Sequence, residues 1–141
     1  MKETSLNREL CFQLYVASKE VIKRYKPYLE QYDLTYTGFI AMLAIENEMS
    51  VNELGEELYL DSGTLSPLLK KLGNKGYIIK QRSANDERRV ELFLTKKGTE
   101  VKAALPCVSK EVAQSMSSEE VTGNYDLLLT QLIQLNQLFK N

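Results

Sequence analysis

Hydrophobic residues recur at helical spacing along most of the chain, and they alternate with polar residues in only one region. The first helical pattern runs from Ser5 to about Tyr32, and Pro27 is expected to end a turn or to bend this helix near Lys26. A short, very apolar helix is expected after Thr35, which is a candidate helix cap. The pattern therefore predicts a helical start to the fold.

Two short helices in tandem are predicted next. The first opens with Ser50 followed three residues later by Glu53, the pattern of a capping box, in which side chains bond the free amides of a helix start. The second has Asp61 as a plausible cap and Gly76 at a position that commonly ends a helix. Its apolar stripe consists of Leu65, Leu68, Leu69 and Leu72.

A β-hairpin is expected to follow, because the pattern then becomes strand-like. Its strands open at Tyr77 and Val90, and its polar tip covers residues 83–89. Tandem helices followed by such a hairpin are the plan of a winged helix-turn-helix domain, in which the hairpin is called the wing.

Further helices are predicted at the C-terminal side. One starts at residues 95–98 and is expected to kink at Pro106, and a capping signal at residues 117–120 precedes a leucine-rich terminal helix. Together with the first helix, these helices carry more apolar surface than a small winged domain can cover, which indicates a second copy of the chain.

The predicted fold is therefore a single, mainly α-helical domain with a small β-hairpin. Residues 35–99 form its winged helix-turn-helix part, and residues 1–34 and 100–141 are its dimerisation helices.

Composition excludes several classes of function. The 141 residues include no histidine and two cysteines, and they contain no Cys-x-x-Cys pair, no glycine-rich phosphate loop and no metal-ligand cluster. We therefore expect no metal, no cofactor and no enzymatic activity. The apolar runs are far shorter than a membrane span and the first residues are polar, which predicts a cytoplasmic protein without a membrane partner.

Positive charge is concentrated in one part of the chain. Residues 61–99 hold nine lysines and arginines against four acidic residues, a net charge of +5, although the net charge of the whole chain is −1. This region coincides with the second tandem helix and the hairpin, as expected where a protein contacts DNA phosphates.

The second tandem helix is the candidate recognition helix, which enters the major groove with its N-terminal end. Its first turns are small and polar, and Lys70 suits the phosphate backbone. Arg88 and Arg89 on the hairpin tip suit a narrow minor groove, and Asp86 can orient one guanidinium. The alternative is that these are capping and solvated surface residues. The predicted DNA contacts are Ser62, Thr64, Ser66, Lys70, Arg82, Asp86, Arg88 and Arg89.

Three segments resemble the MarR family of transcriptional regulators, and the resemblance covers nearly the whole chain. They are residues 61–72 (DSGTLSPLLKKL), 86–89 (DERR) and 94–98 (LTKKG). The resemblance implies a homodimeric winged-helix repressor that binds a pseudo-palindromic operator in double-stranded DNA. It also implies that Arg88 reaches the minor groove and that Asp86 orients it.

Residues 10–15 (LCFQLY), with Tyr25 and Tyr36, resemble the OhrR branch of that family, whose members sense organic hydroperoxides through one N-terminal cysteine. The resemblance implies that Cys11 is the sensor and that the hydroxyls of Tyr15, Tyr25 and Tyr36 hold its thiolate. Phenol hydrogen bonds favour the thiolate, which is the form that oxidants attack. Oxidation would then release the operator.

Helix geometry constrains this hypothesis. Tyr25 lies fourteen residues after Cys11. That separation is about 21 Å on a straight helix, so a Tyr25 that bonds the thiolate must belong to the partner chain. Cys107 does not clearly match the resolving cysteine of some members, so oxidised Cys11 would need a small thiol or over-oxidation to keep the repressor off DNA. The alternatives are a regulator released by a small phenolic or aromatic ligand, with Cys11 only structural, and a thiol-dependent enzyme.

Overall fold

The computed structural model describes residues 5–119 and 123–140. The helices are α1 (Leu10–Leu29), α2 (Tyr36–Ala44), α3 (Val51–Leu58), α4 (Ser62–Asn74), α5 (Lys96–Ser115) and α6 (Tyr125–Gln137). The strands β1 (Ile78–Arg82) and β2 (Val90–Leu94) pair antiparallel, with Lys80 opposite Leu92. This order confirms the predicted mainly helical fold with a β-hairpin wing after two tandem helices.

Helices α2 and α3 begin, and α4 ends, where the sequence predicts. The Thr35 hydroxyl accepts a hydrogen bond from the Gly38 amide at 3.1 Å and caps α2. Ser50 accepts from the Glu53 amide at 3.0 Å while the Glu53 carboxylate accepts from the Ser50 amide at 3.3 Å, which completes the predicted capping box of α3. Gly76 follows α4 with φ 78°, the left-handed conformation that glycine adopts without a steric penalty.

The first helix begins later than predicted. Residues Leu6–Arg8 form a short 3-10 turn, and the extended backbone of Glu9 (ψ 120°) separates that turn from α1. Hydrophobic spacing continues across Glu9, so the pattern alone places the helix start at Ser5 rather than at Leu10.

Two prolines lie inside the long helices. Pro27 lies in the last turn of α1, which continues to Leu29, and Pro106 lies near the middle of α5. A proline inside a helix costs about 3 kcal/mol. Burial of an apolar side chain such as Leu29, which is 1% exposed, contributes about 1.5–3 kcal/mol and offsets much of that cost.

The core lies where the end of α1, the helices α2, α3, α4 and α5, and the wing meet. Helix α1 packs against α2 and α5, while α5 also contacts β2. The largest fully buried side chains are Phe39, Leu29, Met42, Ile45, Leu54, Leu69, Leu72, Leu92, Leu105 and Val112. This core holds the two tandem helices and the wing in one unit.

Apolar side chains outside this core are exposed on α1 and α6. No residue of α6 is buried in the single chain. The exposed large apolar residues of these two helices and the chain directly after α6 are Leu10, Tyr15, Ile22, Tyr125, Leu127, Leu128, Leu129, Ile133, Leu138 and Phe139.

The capping signal predicted at residues 117–120 lies partly outside the described residues, because Glu120 is not among them. Within the described ranges, no helix is both long and apolar enough to cross a membrane.

Candidate nucleic-acid interface

The start of α4 is exposed to solvent, and the carboxylate of Asp61 caps it. Asp61 Oδ1 accepts a hydrogen bond from the Thr64 amide at 2.8 Å. This bond is the main reason that the pKa of the Asp61 carboxyl lies below its usual value. Ser62, Thr64 and Ser66 are all exposed. Their hydroxyls therefore lie at the end of a helix whose free amides favour anionic groups such as phosphates.

The tip of the wing presents one arginine. The Arg89 amide donates to the Asp86 carbonyl at 2.9 Å, and Asp86 Oδ1 accepts from the Arg88 amide at 3.0 Å. The same carboxylate oxygen lies 3.6 Å from Nε of Arg88, whose side chain is 95% exposed. Asp86 thus fixes the backbone of the turn and pairs with Arg88, while the rest of that guanidinium faces solvent.

The sequence predicts that the Arg89 side chain is exposed at the tip. In the structure Arg89 directly precedes β2, and its side chain is bonded within the chain. Its Nη1 donates to Glu53 Oε1 at 2.7 Å, its Nε to Glu91 Oε2 at 3.4 Å and its Nη2 to the Glu48 carbonyl at 2.9 Å. The Arg89 guanidinium holds the pKa of the Glu53 carboxyl below its usual range. Each of the three guanidinium nitrogens of Arg89 therefore has an acceptor within the chain, and its assignment as a DNA contact stays a prediction.

One cleft joins the recognition helix to the wing. Its lining includes Asn52 at the start of α3, Ser66 on α4, Lys80 on β1, and the tip residues Asp86, Arg88 and Arg89. The structure therefore brings Ser66 together with the three tip residues that the sequence predicts. Sequence reasoning missed Asn52 in this cleft. Asn52 lies between Ser50 and Glu53, and the sequence of that segment is explained by helix capping without a functional role.

The remaining predicted contacts lie on the same part of the chain but outside that cleft. Lys70 is exposed on α4. Arg82 is exposed at the end of β1, where its Nη1 donates to the Glu87 carbonyl at 2.6 Å. Arg82 therefore supports the backbone of the tip.

Cys11 and Tyr15 lie four residues apart on one exposed face of α1. The Tyr15 side chain is 62% exposed, and Lys19 Nζ lies 5.8 Å from the centroid of its ring. Cys107 is exposed on α5.

The other two predicted sensor tyrosines form a half-buried aromatic cluster with Phe39. The rings of Tyr25 and Tyr36 each approach Phe39, with centroid distances of 5.0 Å and 5.8 Å. Burial, and then the neighbouring Tyr25, raise the pKa of Tyr36. Tyr25 lies about 21 Å from Cys11 along the same helix, so the two tyrosines meet each other but not the Cys11 of their own chain.

Among the residues that the structure describes, no group of acidic, cysteine or histidine side chains is arranged to hold a metal ion. Exposed hydroxyls, lysines and arginines lie around α4 and the wing, and exposed thiols lie on α1 and α5.

Sequence comparison relates the chain to transcriptional regulators. Residues 23–105 match the family model described as "Transcriptional regulator SarA/Rot". The HTH-type transcriptional regulator SarZ of Staphylococcus saprophyticus is 48% identical over 120 residues, which cover 84% of this chain and 82% of that protein.

Structural comparison finds the same winged-helix architecture in DNA-binding proteins. A structure of reduced AbfR bound to DNA has a TM-score of 0.78 and 31% identity, covering 96% of this chain and 92% of that chain. Overoxidized AbfR bound to DNA has a TM-score of 0.69 and 30% identity, covering 92% and 94%. Apo MarR from E. coli shares the fold, with a TM-score of 0.70 and 22% identity over 88% and 97%.

Proposed function

The chain belongs to the SarA/Rot family of transcriptional regulators, and from that premise we propose that it is a homodimeric repressor that releases its operator when Cys11 is oxidised by an organic hydroperoxide. The finer prediction of an OhrR-like branch is part of this proposal. It has three parts, which concern DNA contact, dimerisation and sensing.

The DNA contact is made by α4 and the wing. The observation that carries this assignment is that α4 and the wing line one cleft, to which α4 contributes Ser66 and the tip contributes Arg88. Ser62, Thr64 and Lys70 extend the surface along α4, and the net charge of +5 over residues 61–99 favours a polyanion. DNA-bound AbfR, which shares this fold, supports double-stranded DNA as the partner.

A second copy of the chain covers the exposed apolar surfaces of α1 and α6. Leu127, Leu128 and Ile133 of α6 are each at least 50% exposed in the single chain. Large contiguous apolar patches of this kind are rare on monomeric proteins. A two-fold dimer would present two copies of α4 to half-sites about 10 bp apart on a pseudo-palindromic operator.

Sensing occurs where the two chains meet. Cys11 and Tyr15 are exposed next to Leu10, which is 65% exposed, so the sensor region is part of the surface that dimerisation covers. The Tyr25 and Tyr36 of the partner then supply phenol groups to the Cys11 thiolate. The solved reduced and overoxidized forms of AbfR support oxidation chemistry in a regulator of this fold.

The proposed reaction proceeds in two balanced steps. The thiolate attacks the distal oxygen of the hydroperoxide, the O–O bond breaks, and the products are a sulfenic acid on Cys11 and an alcohol after protonation. A small thiol then condenses with the sulfenic acid, forming a mixed disulfide and water. The attached thiol at the dimer interface alters the spacing of the two α4 helices.

Three measurements test these assignments. Footprinting of the reduced protein on DNA upstream of its own coding sequence should protect two half-sites about one helical turn apart. Analytical ultracentrifugation should show a dimer. Peptide-mapping mass spectrometry after cumene hydroperoxide and cysteine should show one cysteine adduct, on Cys11. A monomer, a single protected half-site or an adduct on Cys107 alone would contradict the proposal.

A further inference from the structure

Arg89 joins β2 to the segment around the start of α3, which lies 36 to 41 positions earlier in the sequence. Its Nη1 reaches Glu53 in the first turn of α3, its Nε reaches Glu91 on β2, and its Nη2 reaches the carbonyl of Glu48 before α3. All three guanidinium nitrogens are engaged. Because the guanidinium is planar and rigid, three acceptors around it fix its orientation more firmly than a single ion pair would.

The backbone of β2, which follows Arg89, is fixed by hydrogen bonds to the residues before α3. The Glu48 amide donates to the Leu92 carbonyl at 2.9 Å, and the Leu92 amide donates to the Met49 carbonyl at 2.8 Å. The Leu94 amide donates to Asn47 Oδ1 at 2.8 Å. The residues before α3 thus run alongside β2 and fix the part of the wing around Leu92 and Leu94.

Beyond Arg89, toward the tip, the hydrogen bonds among the described wing residues are made within the hairpin itself. The Ser83 amide donates to the Arg89 carbonyl at 2.8 Å, and this bond closes the tip. Arg88, the residue before Arg89, has a side chain that is 95% exposed. Arg89 is therefore the point at which the tip, which carries Arg88, is joined to the helix-turn-helix.

We propose that Arg89 is a positioning residue for DNA binding: its bonds to Glu53, Glu91 and the Glu48 carbonyl set the direction in which the wing presents Arg88 to the DNA. This inference rests on the proposed function, in which Arg88 contacts DNA. It replaces a direct phosphate contact by Arg89 with an indirect effect through its neighbour.

A double-mutant cycle separates the two roles. The proteins are wild type, Arg88→Ala, Arg89→Ala and the double variant, and the probe is a fluorescein-labelled duplex from the DNA upstream of the chain's own coding sequence. Affinity is measured by anisotropy at several salt concentrations, and the melting temperature of each protein is recorded. Residues that act as one unit give non-additive effects, whereas independent contacts give additive ones.

The expected result is a loss of about fivefold to 150-fold in affinity for Arg88→Ala, and a loss no larger than this for Arg89→Ala. In the Arg88→Ala background, Arg89→Ala should change the affinity by less than about twofold and should leave the salt dependence unchanged. Additive losses, or a further decrease in salt dependence, would overturn the positioning role and assign Arg89 a phosphate contact of its own.

Two further variants keep the test decisive if Arg89→Ala unfolds. Arg89→Lys retains the charge but not the planar fork, and it should lose affinity as Arg89→Ala does. Glu53→Gln retains a capping-box side chain but removes the charge that Arg89 bonds, and it should also weaken binding. Its matched control is Glu57→Gln, an exposed residue of the same helix, which should bind like wild type.

The outcomes also distinguish this inference from the function on which it rests. Wild-type affinity in Arg88→Ala would contradict the proposed DNA contact of the wing, and the positioning role would fall with it. Wild-type affinity in Arg89→Lys and Glu53→Gln, together with weak binding by Arg88→Ala, would leave the proposed function intact and overturn the inference about Arg89 alone.

Discussion

The rings of Tyr25 and Tyr36 meet edge to face, with centroids 5.0 Å apart and planes inclined at 70°. Tyr25 belongs to the last turns of α1, and Tyr36 is the first residue of α2. Burial and the neighbouring Tyr25 raise the pKa of Tyr36, so its phenol stays protonated at neutral pH. It is then available as a hydrogen-bond donor to an anion such as a thiolate.

Replacing Tyr25 by phenylalanine should slow the oxidation of Cys11. The ring packing is retained, but one proposed hydrogen bond to the thiolate is lost, which is worth about 1.5–3 kcal/mol. We expect the rate to fall by about tenfold or more, measured as loss of the Cys11 thiol after cumene hydroperoxide in a Cys107→Ser background. Tyr28→Phe, a half-buried tyrosine of the same helix, is the control. Equal rates in Tyr25→Phe and wild type would contradict the phenol assignment.

The cap of α4 should make part of the stability depend on pH. Its hydrogen bond from Thr64 lowers the pKa of Asp61, so the stabilisation is complete above the usual aspartate pKa of about 3.9 and is lost as the pH falls through the lower folded value. The difference in melting temperature between wild type and Asp61→Ala should therefore be largest at neutral pH and shrink below about pH 4.

Asp61→Asn is the matched variant for that measurement, because asparagine caps a helix without a charge. Its melting temperature should exceed that of Asp61→Ala, by a margin that changes little with pH. A constant difference between wild type and Asp61→Ala from neutral pH to pH 3 would show that the carboxylate does not act as the cap.

Lys70 should contribute to affinity without contributing to sequence recognition. It is exposed beyond the first turns of α4, where a lysine meets phosphate rather than base edges. Lys70→Ala should weaken binding similarly on operator and unrelated duplexes and reduce the slope of log affinity against log salt by about 1. Lys110→Ala, exposed on α5, should leave the slope unchanged. An unchanged slope in Lys70→Ala would remove Lys70 from the interface.

Gly98 should not tolerate a side chain. A Cβ atom there would lie 1.9 Å from the carbonyl oxygen of Tyr77, so the start of α5 would have to move away from the wing. Gly98→Ala should lower the free energy of unfolding in urea by about 1–3 kcal/mol or more. Gly73→Ala is the control, since its Cβ would meet its nearest neighbour at an ordinary 3.9 Å. Equal stability of the two variants would contradict this packing.

Sequence reasoning succeeded where the interacting groups lie within four residues of each other. The capping box of Ser50 and Glu53, the Asp61 cap and the Asp86–Arg88 pair are all of this kind. Short sequence patterns contain these contacts directly, so the starts of α3 and α4 and the turn at the tip of the wing were predictable, whereas the start of α1 was not.

Contacts between distant segments were not predictable in the same way. Arg89 and Glu53 are 36 positions apart, and nothing in the pattern around either residue indicates the other. From sequence alone, Arg89 is therefore interpreted like its exposed neighbour Arg88, because its acceptors are known only from the fold. The placement of Pro27 inside α1 has a related cause, because the burial of Leu29 that sustains the helix depends on the whole core.

The pattern of helices and strands predicted the winged-helix fold and the family resemblance agreed with it, and the comparisons then assigned the chain to the SarA/Rot family with a fold shared by MarR. The fold alone does not identify the signal that a regulator responds to. Sensing by Cys11 stays a proposal for that reason, and it depends on the partner chain supplying Tyr25 and Tyr36.

The release of DNA on oxidation of Cys11 is tested most directly by anisotropy with the upstream duplex. Reduced wild type and Cys11→Ser should both bind. Cumene hydroperoxide with cysteine should lower the affinity of wild type by about tenfold or more, and dithiothreitol should restore it, whereas Cys11→Ser should stay bound. Release of Cys11→Ser to the same extent as wild type, or no release of wild type, would contradict the account.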